Sequence, residues 1–236
     1  MVSLNLCGEG SADFGSEGGN NEGPLTVLVR KLYEEHTDSE LPGGVVHPLK
    51  MTNLRTREKA TERIGRSMSY APRSISPLTE KAALFATIYL SEPDAFGIFH
   101  SDVDFTHSSP CPPDKRWQCI YEAINKGLSR GGAGSRACAM VPMPRTEAWL
   151  LHMAPECKRS AASLEKSSGN DASPAALKKE LDQLGYKPDS HRHTRGKSFS
   201  ELVENNYNRK KMRELRSYKQ FEEDFIPLMD SIRSLL

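Results

Sequence analysis

Five carboxylates stand where apolar runs end. Glu9 follows Val2, Leu4 and Leu6, with Asp13 about one helical turn further on; Asp102 and Asp104 form an Asp-Val-Asp after FGIFHS; Glu147 follows ACAMVPMPRT. In the turn just beyond a strand, two such aspartates can bend toward one ion. A hard cation such as Mg²⁺ takes a few carboxylates, keeps several waters and leaves room for phosphate oxygens. With Glu9 and Asp13 added, there is capacity for a second ion or for a carboxylate acting as general acid or base. Two ions together can stabilise the attacking and leaving oxygens of an in-line phosphoryl displacement. The plainer reading makes these ordinary loop carboxylates, and Glu147 would also favour the dipole of the helix it starts.

Holding these residues together requires a sheet, and the pattern supplies one. Residues 2 to 8 alternate as a buried strand, and Gly8 and Gly10 allow a tight turn. Residues 16 to 23 are rich in Gly, Glu and Asn and read as a loop. Pro24 opens a helical pattern through Leu25, Leu28, Val29 and Leu32, stopped by residues 41 to 44 before a short apolar run at 45 to 49. Residues 50 to 76 are basic and poor in large aliphatics, an insertion with a short helix expected at 57 to 64. Then come a helix at 77 to 91, a strand at 96 to 99, a helix at 115 to 128, a strand at 137 to 143 and a helix start at Ala148. Trp117 and Trp149 read as core anchors. Residues 160 to 175 look like a linker, followed by helical patterns at 174 to 184 and 199 to 234.

The expected fold is therefore α/β. A mostly parallel central sheet flanked by helices would occupy residues 1–158, and a linker with a helical C-terminal extension residues 159–236. In open parallel sheets, ligands bind outside the carboxyl ends of the strands. Glu9, Asp102, Asp104 and Glu147 could converge there.

The 236 residues carry a net charge of +1 that conceals segregation. Lys and Arg number 2 against 8 acidic residues over 1–49, 8 against 3 over 50–81, and 12 against 6 over 178–219. Such basic blocks can attract a polyanion or can simply be solvated helix faces. Arg55, Arg57, Lys178, Lys179, Arg209, Lys210 and Lys211 are the candidates for nucleic-acid contact. His191, Arg192, His193 and Arg195 read as a solvated or phosphate-contacting loop rather than a metal site. The five cysteines include no CxxC pair, which argues against a disulfide framework or zinc finger. No run is long and apolar enough for a membrane span and no signal peptide is recognisable, so a cytoplasmic protein is expected. The stripe Phe221, Phe225, Leu228, Met229 and Ile232 is expected to pack back on the sheet; left exposed, it would serve a homodimer or partner contact.

Gly8-Glu9-Gly10-Ser11-Ala12-Asp13 and Asp102-Val103-Asp104 resemble the two acidic motifs of the Toprim domain, the fold shared by topoisomerases, DnaG-type primases, the M5-type ribonuclease and the overcoming-lysogenization-defect nucleases. The stretch Pro142 to Leu151, PMPRTEAWLL, resembles small bacterial Toprim-like proteins associated with an ATPase and with mobile-element defence. The resemblance spans roughly residues 1 to 155. It implies a Mg²⁺- or Mn²⁺-dependent nuclease acting on DNA or RNA as an effector against phage or plasmids. Glu9 would be acid or base and metal ligand, Asp102 and Asp104 metal ligands, and Asp13 and Glu147 supporting ligands. The basic insertion and His100 depart from the pattern; His100 reads as a local hydrogen-bonding residue or a phosphate contact. No tyrosine stands out as a topoisomerase nucleophile and no primase module is present, which favours hydrolysis. Two rival readings stay open. One is a catalytically silent module binding nucleic acid or an ATPase; the other, which leaves Glu9 unexplained, is a DxD nucleotide-sugar transferase.

Overall fold

The computed structural model describes residues 1–8, 11–15, 22–51, 54, 76–103, 111–168, 176–189 and 196–236. Glu9, Asp104, Arg55, Arg57, the expected helix at 57–64 and the run His191 to Arg195 lie outside the described residues.

Four strands make one all-parallel sheet: β1 (Ser3–Gly8), β2 (Val46–Lys50), β3 (Ala95–His100) and β4 (Ala137–Met140), in the order β2-β1-β3-β4. Leu4 pairs with Val46 on one side and Phe96 on the other, and His100 pairs with Met140. Helices cover both faces, which explains why β1 and β3 are apolar almost throughout. Leu4, Leu6, Phe96, Ile98, Cys138 and Met140 point to one core; Cys7, Phe99 and Ala139, on the alternate positions, point to the other.

The second core is closed by α3 (Ser76–Tyr89) and α4 (Pro113–Arg130), through Phe85, Trp117 and Ile124. These two helices approach closely at Gly127 and Gly131, where an added Cβ would lie 2.3 Å from the Thr79 carbonyl oxygen and 2.4 Å from that of Ala83. The first core is closed by the four-residue turn α1 (Ser11–Phe14), α2 (Pro24–Thr37) and α5 (Thr146–Met153), together with the C-terminal helices. Those are α6 (Ala161–Glu165), α7 (Leu177–Gln183), α8 (Phe199–Asn206), α9 (Arg209–Met212) and α10 (Arg216–Leu235). A two-stranded parallel ribbon, β5 (Tyr186–Lys187) with β6 (Lys197–Ser198), lies between α7 and α8.

The C-terminal stripe packs back as expected: Phe221, Phe225, Leu228, Met229 and Ile232 are buried with Leu4, Ile98 and Met140, and α10 lies against β4 and α2. It therefore offers no exposed surface for a homodimer. Three boundaries differ from expectation. The linker expected from residue 160 is structured at its start, because Ser160 caps α6 and Leu164 is buried. The helical pattern expected at 199–234 is divided into three helices, broken where Asn208 turns its side chain onto the Lys211 N–H as a cap and where Leu215 is extended. β4 ends at Met140 because Pro142 and Pro144 lack the N–H a ladder needs. Among the described residues, no helix is long and apolar enough to cross a membrane.

Candidate active site

The chain leaves β1 for α2 and β2 on one side, then returns to place β3 on the other. The boundary between β1 and β3 is thus the point where the order reverses, the place where such sheets bind ligands. β1 ends at Gly8, next to Glu9 in sequence; β3 ends at His100, two residues before Asp102; and α5 begins at Thr146, beside Glu147. Gly8 is required by close approach: a Cβ there would stand 2.8 Å from the Phe14 ring and 3.3 Å from Nδ1 of His100. Phe14 meets the His100 ring edge-on at 5.7 Å, which packs α1, and with it Asp13, over the ends of β1 and β3.

Past β3, the backbone stays paired with the loop that follows β4. Ser101 N–H donates to the Met140 carbonyl at 3.1 Å and Val103 N–H to that of Pro144 at 3.0 Å. Asp102 is oriented from that loop. Its Oδ1 accepts from the Thr146 backbone N–H at 3.0 Å and from Thr146 Oγ1 at 3.2 Å, while His100 Nε2 lies 3.4 Å away. The N–H is one of those that a helix's first turn leaves without an internal partner, so Asp102 caps α5 from another element. His100 is buried and its Nε2 is 3.1 Å from Thr146 Oγ1, the local hydrogen-bonding role expected of it. Asp102 Oδ2 makes no hydrogen bond among the described residues.

Glu147 is half-buried, and its carboxyl is pushed up to about 7. Burial is the main cause and the negative charge of Asp102 the next; Asp13 adds to the rise, while Arg145 and a backbone hydrogen bond oppose it. Three of the five expected carboxylates, Asp13, Asp102 and Glu147, therefore share one electrostatic neighbourhood although they lie on three segments. Among the described residues no group of three His, Cys, Asp or Glu encloses an ion by itself. The donor set nonetheless suits a hard divalent cation, which needs only one or two carboxylates plus water and would relieve the repulsion that raises Glu147.

The nucleic-acid candidates fare differently. Lys178 and Lys179 are exposed on α7. Arg209 Nε donates to the fully buried Glu222 at 2.6 Å, so its charge serves the core of the helical layer. Lys210 and Lys211 lie by the end of α5 remote from Glu147, where His152 Nε2 is 3.0 Å from the Lys211 carbonyl. The sequence marks Thr146 by one signal, a hydroxyl residue between Arg145 and Glu147 at a helix start. Comparison with family models, with curated proteins and with solved structures finds no match to this chain. All five cysteines are free, and burial pushes the Cys7 thiol up to about 12, as befits an inert core residue.

Proposed function

We propose that the protein is a Mg²⁺- or Mn²⁺-dependent nuclease of the Toprim-like kind, hydrolysing phosphodiester bonds of DNA or RNA. The observation that carries this reading is the convergence of Asp13, Asp102 and Glu147 at the carboxyl ends of the strands, with Glu147 poised near neutrality. Asp102 and Asp13 would hold the cation, joined by Glu9 and Asp104, which neighbour them in sequence. The cation, when bound, neutralises charge on the phosphate and favours the ionised form of the nucleophile.

The protein's own residues supply the rest. Thr146 and His100 hold Asp102 through Oδ1, so that Oδ2 would serve the cation. Glu147 is suited to accept one proton from the attacking water, since a general base works best when its pKa is near the operating pH. The water oxygen bonds to phosphorus as the bond to the leaving sugar oxygen breaks, and that oxygen takes its proton from solvent. A role as a defence effector, and control by an ATPase, rest on the PMPRTEAWLL resemblance alone.

The test is incubation of plasmid DNA, single-stranded DNA and total RNA with Mg²⁺, Mn²⁺ or EDTA, using wild type, Asp102→Ala and Glu147→Gln. Cleavage that needs the metal and is lost in Asp102→Ala is expected. Cleavage that survives both EDTA and Asp102→Ala would refute the reading. Salt-sensitive binding with no cleavage under any ion would replace it by the silent binding module.

A further inference from the structure

Arg116 lies in the first turn of α4, and its Nε donates to the Val103 carbonyl at 3.0 Å. Val103 is the residue between Asp102 and Asp104, is fully buried, and is itself tied by its N–H to Pro144. The guanidinium is thus pinned to the peptide beside Asp102, and its two terminal nitrogens make no hydrogen bond or ion pair among the described residues. It makes no ion pair with Asp102, whose Oδ1 accepts from Thr146 and lies 3.4 Å from His100 Nε2.

Against the following residue, Trp117, Arg216 of α10 lies with its guanidinium carbon 5.0 Å from the ring centroid, and it reaches Asp114 at 3.3 Å. Trp117 is held in turn by its indole N–H on the Val141 carbonyl at 2.8 Å and by stacking on Tyr121. Arg116, pinned to a carbonyl, therefore stands one residue from Asp102, and Arg216 lies over the ring of the next residue of α4, Trp117. Arginine's planar fork matches two oxygens of a phosphate, and holding it in place beforehand lowers the entropy lost on binding. The basic run at 209–211 lacks this placement.

We propose that Arg116 binds a backbone phosphate of the nucleic-acid strand at this site, with Arg216 taking a neighbouring phosphate. The assignment rests on the nuclease reading for what happens to the strand, but binding is measured separately from cleavage.

The experiment is fluorescence anisotropy of short fluorescein-labelled DNA and RNA strands at several salt concentrations in EDTA, followed by cleavage of the same strands in Mg²⁺ and Mn²⁺. Arg116→Gln should weaken binding about tenfold and reduce the slope of log affinity against log salt by about one. Arg116→Lys, which keeps the charge but not the fork, should recover part of the loss. Arg216→Gln touches no backbone group and should weaken binding by roughly threefold without lowering the melting temperature. The double variant Lys210→Ala with Lys211→Ala should bind like wild type. Equal binding by wild type, Arg116→Gln and Arg216→Gln overturns the proposal, as does wild type that binds neither strand at any salt. Arginine-dependent binding without metal-dependent cleavage upholds it and removes the nuclease reading; cleavage indifferent to both arginines does the reverse.

Discussion

Asp102 Oδ1 accepts two hydrogen bonds from a single residue, Thr146, 44 positions away: one from the backbone N–H at 3.0 Å and one from Oγ1 at 3.2 Å. The same Oγ1 meets the buried His100 Nε2 at 3.1 Å. One hydroxyl therefore orients a carboxylate just past the end of β3 and partners Nε2 of an imidazole in the sheet. Thr146→Ala keeps the backbone bond but deletes the hydroxyl, and should destabilise the fold by about 1–3 kcal/mol through the two lost bonds, to Asp102 Oδ1 and to His100 Nε2. Metal-dependent cleavage should fall roughly tenfold to a hundredfold, as when a ligand loses its orienting partner. Thr146→Ser should restore most of both. Urea denaturation and initial rates measure the two effects, and a serine variant no better than alanine would show that the hydroxyl is not the operative group.

Glu147 gives a pH dependence with a definite sign. The unfolded chain releases its proton near 4.5 and the folded protein holds it up to about 7. Between these values the folded state binds more protons, so this residue makes stability fall as pH rises. The full difference corresponds to about 3 kcal/mol, and partial exposure reduces it to about 1–2 kcal/mol. Glu147→Gln cannot ionise. In EDTA it should match wild type at low pH and exceed it by about 1–2 kcal/mol at pH 8. Urea midpoints across that range decide the matter; a gap that does not change with pH would show that the carboxyl is not shifted in the folded state.

The sheet was legible because parallel strands buried on both faces leave compact apolar runs, and the carboxylates were found because they sit where those runs stop. What binds Asp102 was not legible, since a contact between Thr146 and a residue 44 positions earlier exists only once β3 and β4 are neighbours. The same holds for Arg209, which reads as a surface charge until Glu222 is seen to be buried beneath it. The breaks at Asn208 and Leu215 were hidden for a different reason. Met212, Leu215, Tyr218 and Phe221 are all buried, so the apolar signal runs on through the points where the backbone turns. The C-terminal helices complete the first core, and which sheet residues the side chains of α10 meet is something no local pattern could give.

Ser217 links that helical layer to the site loop. Its Oγ donates to the buried Glu165 at 2.7 Å and accepts from the Trp149 indole N–H at 2.9 Å and from the Met143 N–H at 3.3 Å. Ser217→Ala keeps the backbone N–H on Glu165 but leaves both donors and half of the carboxylate's pairing unmade. A loss of about 2–4 kcal/mol is expected, with a smaller loss for Ser217→Thr if the extra methyl can be packed. The loop from 141 to 145 leads into Thr146, so hydrogen exchange at its amides should accelerate more than at α2. Uniform acceleration would mean that Ser217 supports the whole core and not that loop.

The contact between α3 and α4 can be tested without touching the site. An added Cβ at Gly127 would meet the Thr79 carbonyl oxygen at 2.3 Å and the Ala82 Cβ at 2.7 Å, whereas Gly43 has nothing within 4 Å of that position. Backbone atoms cannot swing aside as a side chain can, so Gly127→Ala must push the helices apart and forfeit packing around Phe85 and Ile124. Overpacking of this kind costs about 1–3 kcal/mol, more than alanine returns through its helix propensity of up to ~1 kcal/mol over glycine. Gly43→Ala should lie within about 0.5 kcal/mol of wild type. Denaturation midpoints for the two variants should therefore separate clearly. If Gly127→Ala proved as stable as wild type, the helices would have room between them, and the close approach that closes the second core over Phe99 and Ala139 would have to be redrawn.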